Sequence, residues 1–320
     1  MDDQKNMDND FLPDFGWYPA SLKKTLEKGE NLTWVQLKNE RLQRPFFEDE
    51  IKQATREGRK NARYTITDQL TEFSHTHGAT PSALIFHVSR CGSTLVSQTC
   101  AESDQINALS EPGLINDILE HYRMTPDLCI KRLKACVKAL CQKPNPDIRF
   151  TIVKVDSWHI ADLELFEQSF PDVPKFFLYR QPAEVFASHQ KQRGWQMVPG
   201  HMDNDRFDIS VPVYDLDGRC FQMLESFFRY GLLFVRQGKV KPLNYDQLPE
   251  WTWNQFLPEL GMQVSPAELE KMKHRQQRHS KQPVFSYEED ERLAIPKEIN
   301  HQLHRIEQHY SELELLRQAQ

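Results

Sequence analysis

The sequence of 320 residues has no apolar run near the roughly 18 residues that a membrane-spanning helix requires. Its acidic first residues are followed by no apolar segment, so we expect no secretory signal peptide. The six cysteines form no C-x-x-C pair and no spacing typical of a metal site. These absences predict a cytoplasmic protein with reduced thiols, no bound metal and no membrane span.

An excess of positive charge is missing as well. The chain has 40 Lys and Arg against 46 Asp and Glu, which gives a net charge of -6. This balance argues against a protein dedicated to nucleic acids or to anionic membranes. Any anionic ligand would need positive charge gathered locally. Aromatic residues are plentiful, with 19 Phe, 9 Tyr and 6 Trp, and they favour a globular core over disorder.

Strands and helices are predicted to alternate from about residue 81 onwards. Short apolar strands are predicted at residues 83–88, 106–109, 150–153, 175–179 and 240–244. Repeated strand–helix units predict an α/β fold, a parallel sheet flanked by helices on both faces. We expect this domain to cover residues 76–320 and to end in an amphipathic helical segment. Residues 1–75 are predicted to form an N-terminal extension that packs on it.

The turn after the first predicted strand has the composition of an anion site. Residues 89–95 combine one glycine with two hydroxyl side chains at the start of a helix. The free N–H groups and the dipole of a helix N-terminus attract an anion, and Arg90 adds a full positive charge. The predicted binding residues are Arg90, Cys91, Gly92, Ser93, Thr94 and Leu95.

A second cationic motif follows the fourth predicted strand. Arg180 ends this strand, Pro182 stands at a favoured first helical position, and Ser188 lies two turns further along the helix. Ligands of open α/β sheets bind at the carboxyl ends of the strands. We therefore expect Arg180 and Ser188 to contact one phosphate there.

Together these segments resemble the sulfotransferases that use 3′-phosphoadenosine 5′-phosphosulfate (PAPS). The family's 5′-phosphosulfate loop is similar to residues 89–95, and its 3′-phosphate motif is similar to Arg180 and Ser188, eight positions apart. Residues 243–248 resemble a late family strand that ends in Tyr-acid-x-Leu. The resemblance covers about residues 81–281. It implies a P-loop-like nucleotide-binding fold and transfer of a sulfuryl group from PAPS to a hydroxyl or amine, with no metal.

The resemblance also implies roles for individual side chains. Arg90 and Lys154 would stabilise charge on the leaving phosphate. Glu111 precedes a proline 21 positions after Arg90, as a glutamate does in carbohydrate-type members, and is the favoured general base. Asp156 stands where cytosolic members have a catalytic histidine and is the alternative base. This departure places the chain closer to carbohydrate-type and bacterial members than to cytosolic ones.

The remaining expectations concern closure of the site and its partners. A late basic segment closes the cofactor site in the family, so Ser280 and Lys281 are expected to contact a phosphate. The polar loop at residues 193–218, with Trp195, stands where a lid over the acceptor is expected. The expected partner is a small-molecule, carbohydrate or lipid acceptor, and no nucleic acid.

Two other functions stay open. One is a non-catalytic nucleotide-binding sensor or scaffold of the same fold. The other is a P-loop kinase-like phosphotransferase, against which the loop sequence counts. A Walker A loop has lysine directly after its last glycine, whereas here Ser93 follows Gly92.

Overall fold

A computed structural model describes residues 11–25, 29–37, 41–56, 62–276 and 300–319. Its strands form two separate sheets. They are β1 (Trp17–Thr25), β2 (Gly29–Gln36), β3 (Ala62–Thr65), β4 (Ala83–His87), β5 (Ile106–Ser110), β6 (Phe150–Lys154), β7 (Lys175–Tyr179) and β8 (Lys241–Asn244).

Helices connect and cover these strands. They are α1 (Phe47–Arg56), α2 (Thr67–Thr76), α3 (Ser93–Cys100), α4 (Gly113–Tyr122), α5 (Pro126–Leu140), α6 (Leu163–Ser169), α7 (Pro182–Lys191), α8 (Leu216–Arg236), α9 (Leu257–Glu259), α10 (Pro266–Gln276) and α11 (Asn300–Gln318). Within the described ranges, no helix combines the length and the apolar character needed to cross a bilayer.

The central sheet has five parallel strands in the order β5-β6-β4-β7-β8. Every residue of β4, β5 and β7 is buried, as expected for strands covered on both faces. The predicted α/β class is confirmed, and each predicted strand is present with ends that differ by one residue at most. The chain leaves β4 towards β5 and later passes to its other side at β7, so the carboxyl end of β4 is the point where the strand order reverses.

The N-terminal part forms an antiparallel sheet, β1-β2-β3, which the sequence analysis did not find. This sheet packs on α4 and α5 of the central domain. The main chain of Leu22 donates to Asp117 Oδ2 at 2.8 Å, and that of Gly16 donates to Gln142 Oε1 at 2.8 Å. Helix α2 runs across the predicted division at residue 75, and the division itself stays a prediction.

The C-terminal helix α11 packs on the central domain through Leu303, Ile306 and Leu313, which are buried. It also contributes a polar contact at the carboxyl ends of β7 and β8. Glu314 Oε1 accepts hydrogen bonds from the Tyr179 hydroxyl at 2.6 Å and from the Asn244 side-chain amide at 2.8 Å. One carboxylate of α11 therefore joins the ends of two neighbouring strands.

We expect Glu314→Ala to lower the free energy of unfolding by about 1–3 kcal/mol, because two buried donors lose their acceptor. Urea denaturation measures this loss. The matched control is Glu312→Ala on the same helix, whose carboxylate pairs with Arg236 at the surface. Its effect should stay below about 1 kcal/mol. Equal effects of the two variants would show that the contact with Tyr179 and Asn244 contributes nothing.

Candidate functional site

A cavity of about 620 Å³ opens at the carboxyl ends of the central strands. It lies where the strand order reverses, the usual place for a ligand in an open α/β sheet. Many of the predicted site residues line it: Arg90, Gly92, Ser93, Thr94, Leu95, Glu111, Asp156, Arg180 and Ser188. Segments that are distant in the sequence therefore meet around one space.

The loop between β4 and α3 has an unusual backbone. Ser89 and Arg90 have φ values of 69° and 50°, a region that non-glycine residues seldom adopt. Gly92 has a φ of 84°, and a Cβ atom there would lie 2.6 Å from a ring carbon of Tyr245. Glycine is therefore required at position 92. Strained backbone of this kind is concentrated at functional sites, where the surrounding structure maintains it.

Cys91, one of the predicted binding residues, turns its side chain away from the cavity. Its thiol donates to the carbonyl oxygen of Leu178 at 3.3 Å and is fully buried. Burial raises the pKa of Cys91 to about 12, so the thiol is neutral and not nucleophilic. Only the main chain of Cys91 is left for the predicted role.

The buried Lys154 and the partly exposed Glu111 form an ion pair beneath the loop. The Lys154 Nζ atom lies 2.9 Å from Glu111 Oε1 and 3.2 Å from Thr94 Oγ1. Burial by itself raises the pKa of Glu111, but the Lys154 ammonium and the His87 imidazole outweigh burial and hold this pKa well below its usual value. Glu111 is therefore ionised at neutral pH. The backbone φ of Glu111 is 50°, so Glu111 is a further strained residue at this site.

Asp156, the other candidate base, has the opposite electrostatic environment. Burial and the neighbouring Glu111 carboxylate raise its pKa well above the usual value, although Lys154 opposes them. His159 Nδ1 lies 3.9 Å from Asp156 Oδ2, and burial lowers the pKa of His159 to about 3. This imidazole is neutral and adds no positive charge to stabilise the Asp156 carboxylate.

Arg180 directly follows β7, which lies on the other side of β4 from β5 and β6, the strands that lead to Glu111 and Asp156. Its guanidinium carbon lies 4.2 Å from the centre of the Tyr245 ring, and its Nε donates to Glu184 Oε2 at 2.7 Å. Ser188 lies further along α7, which begins two residues after Arg180. A guanidinium has five N–H donors in a planar fork, a geometry that suits both carboxylates and phosphates.

Several residues that line the cavity were not predicted from the sequence. His87 is the last residue of β4, and Phe46, Trp158 and Gln196 come from three other segments. The available signal for His87 was a polar residue that ends an otherwise apolar strand. Trp158 and Trp195 pack edge to face with ring centres 4.8 Å apart, and Trp195 is 47% exposed. Trp195 thus lines the cavity while Met197 and Phe207 anchor the same loop in the core.

The predicted contacts of Ser280 and Lys281 lie outside the described residues. Among the residues that the structure describes, His, Cys, Asp and Glu side chains form no group of three that could hold a metal ion.

No model of a protein family matches the chain, and no similar curated protein was found. The chain is similar to the solved sulfotransferase domain of the olefin synthase from Synechococcus PCC 7002, with 14% identity over 73% of this chain and 96% of that one and a TM-score of 0.42. A sulfotransferase domain from the curacin biosynthetic pathway shows 14% identity over 72% and 98%, with a TM-score of 0.48. A sulfotransferase from Alicyclobacillus acidocaldarius shows 10% identity over 75% and 96%, with a TM-score of 0.37. These likenesses are too distant to assign an activity.

The raised pKa of Asp156 predicts a pH-dependent gain in stability for Asp156→Asn. In the wild type the folded state holds a proton that the unfolded state releases above about pH 3.9, so stability falls as pH rises towards the raised pKa. Between about pH 3.9 and the raised pKa, the free energy of unfolding of Asp156→Asn should increase relative to that of the wild type by up to about 1.4 kcal/mol per pH unit. Near pH 3 the two proteins should be equally stable.

Urea denaturation between pH 3 and 8 measures this difference. Asp147→Asn, which removes an exposed carboxylate, controls for the change in net charge. An advantage of Asp156→Asn that is constant across this range, or that shrinks as pH rises, would mean that Asp156 is not held protonated.

Proposed function

We propose that the protein is a PAPS-dependent sulfotransferase that moves a sulfuryl group to a hydroxyl or amine. One observation carries this proposal. The strained loop after β4, the Arg180–Ser188 motif and the buried Lys154–Glu111 pair all converge on a single cavity. An anion site, a second phosphate site and an ionised carboxylate are the parts that this reaction needs.

The residues present suit a nucleotide with phosphates at two positions. Gly92 lacks the Cβ that would collide with Tyr245, so the loop can pass beneath this ring into the first turn of α3. Arg90 and the first turn of α3 would hold the 5′-phosphosulfate. Arg180 and Ser188 would hold the 3′-phosphate. When bound, PAPS supplies an activated sulfuryl group with a phosphate as its leaving group.

Lys154 and the loop donors would stabilise negative charge on the leaving phosphate. The Lys154 Nζ atom already contacts Thr94 in the first turn of α3, close to the predicted position of the phosphosulfate. An anion there would share the ammonium with Glu111. The pKa of Glu111 would then rise towards its usual value, which makes the carboxylate a better proton acceptor.

Glu111 is the better candidate for the general base, since a base must be deprotonated before it acts. Lys154 and His87 keep Glu111 ionised, whereas burial and Glu111 itself keep Asp156 protonated. A neutral Asp156 can donate a hydrogen bond to the acceptor. These opposite environments assign different tasks to two neighbouring carboxyl groups.

Calorimetry with adenosine 3′,5′-bisphosphate, ADP and ATP tests the nucleotide site. We expect the bisphosphate to bind at least 10-fold more tightly than ADP, and Arg180→Ala to weaken it about 10- to 100-fold by removing a charged hydrogen bond. Arg229→Ala, at an exposed ion pair with Asp208, is the matched control and should leave affinity unchanged. Selective binding of ATP, or no binding of any of the three, would refute the proposal.

Transfer of labelled sulfate from PAPS to a panel of hydroxyl and amine acceptors tests the base. Glu111→Gln should lower kcat by about 10²- to 10⁴-fold, the usual contribution of a general base, while the affinity for adenosine 3′,5′-bisphosphate changes only a few-fold. Asp156→Asn should keep most of the activity, since an amide can replace the neutral carboxyl as a donor. Loss of activity in Asp156→Asn alone would reverse the assignment.

A further inference from the structure

His87 is a buried imidazole that connects the loop to Glu111. It ends β4 and is 4% exposed. Its Nδ1 accepts a hydrogen bond from the main-chain N–H of Ser89 at 3.0 Å. A ring nitrogen that accepts carries no proton, so the proton of the neutral imidazole is on Nε2. The main chain of the loop therefore selects the tautomer.

The protonated nitrogen of His87 faces Glu111. His87 Nε2 lies 3.5 Å from Glu111 Oε1, and Lys154 Nζ lies 2.9 Å from the same oxygen. Both donors thus approach Oε1 from inside the protein, where the Lys154 and His87 side chains are 0% and 5% exposed. The Glu111 side chain is 22% exposed and lines the cavity, while both of these contacts fall on Oε1.

Burial outweighs the attraction of Glu111 and lowers the pKa of His87, so the imidazole is neutral at neutral pH. A neutral Nε2–H, 3.5 Å from Oε1, faces the carboxylate without adding a second positive charge beside Lys154. This nitrogen is buried and has no closer acceptor among the residues that the structure describes, so a small shift of the Glu111 side chain would complete a hydrogen bond to it.

We propose that His87 is a positioning residue that holds Oε1 of Glu111 and thereby turns Oε2 towards the acceptor. This inference rests on the proposed function for the role of Glu111 as base. His87 also connects two parts of the site, because its imidazole contacts both the Ser89 main chain in the loop after β4 and the Glu111 carboxylate.

The test compares His87→Phe, which fills the space without either nitrogen, with His87→Gln, whose amide can again donate towards Glu111. We expect His87→Phe to lower kcat about 10- to 100-fold, as a small misplacement of a reacting group does, with the KM for PAPS changed less than 3-fold. The acidic limb of the kcat/KM profile should move to higher pH, because Glu111 loses one donor. His87→Gln should recover part of the rate.

A double-mutant cycle adds a second requirement. In a Glu111→Gln background, His87→Phe should cause no further loss of rate, because its target is already removed. A full additional loss there would mean that His87 acts independently of Glu111. A loss of PAPS affinity with kcat unchanged would mean that His87 only supports the loop. Either result overturns the proposal.

An infrared titration of the carboxyl groups keeps this inference separate from the proposed function. The difference between wild type and Glu111→Gln isolates the Glu111 signal and needs no turnover. The Glu111 pKa should be higher in His87→Phe than in the wild type. In His87→Gln it should return towards the wild-type value. An unchanged pKa overturns the role of His87 even in an active enzyme. A raised pKa in a protein that transfers no sulfate would instead refute only the proposed function.

Discussion

The ion pair between the buried Lys154 and Glu111 is the contact on which the site depends. A lysine that is fully buried needs a partner, because an isolated charge loses its hydration at a cost of several kcal/mol. The strand order supplies that partner. Strand β6 lies between β4 and β5, so Lys154 at its end lies between Thr94, which follows β4, and Glu111, which follows β5. Lys154 then holds Glu111 ionised, and the Glu111 carboxylate adds to burial in raising the pKa of Asp156.

The strained backbone around this pair is maintained by packing from distant parts of the chain. Ser89 and Glu111 keep positive φ angles although neither is glycine, and Tyr245 closes on Gly92 so tightly that no side chain fits there. Next to Tyr245 in the sequence, Asn244 donates to Glu314 of the C-terminal helix, which joins the ends of β7 and β8. Rigid support of this kind is what allows a site to hold donors in place before a ligand arrives.

The net charge of -6 and the proposed anion site are compatible because the two describe different parts of the molecule. Many acidic side chains lie in surface ion pairs, such as Glu312 with Arg236. Positive charge at the cavity comes instead from Arg90 and Arg180, with Lys154 directly below. The net charge therefore argues against large anionic partners, whereas the cationic side chains gathered at the cavity favour a small anion.

The sequence alone determined the α/β class, the positions of the central strands and the loop at residues 89–95, because these depend on local patterns of apolar residues, glycine and hydroxyls. It also pointed to Arg180, which directly follows a strand. It could not show the role of His87, the protonation of Asp156 or the antiparallel N-terminal sheet. Each of these depends on neighbours far away in the sequence, since burial and approaching charges set a pKa and strand pairing sets a sheet. Only the tertiary structure brings those neighbours together.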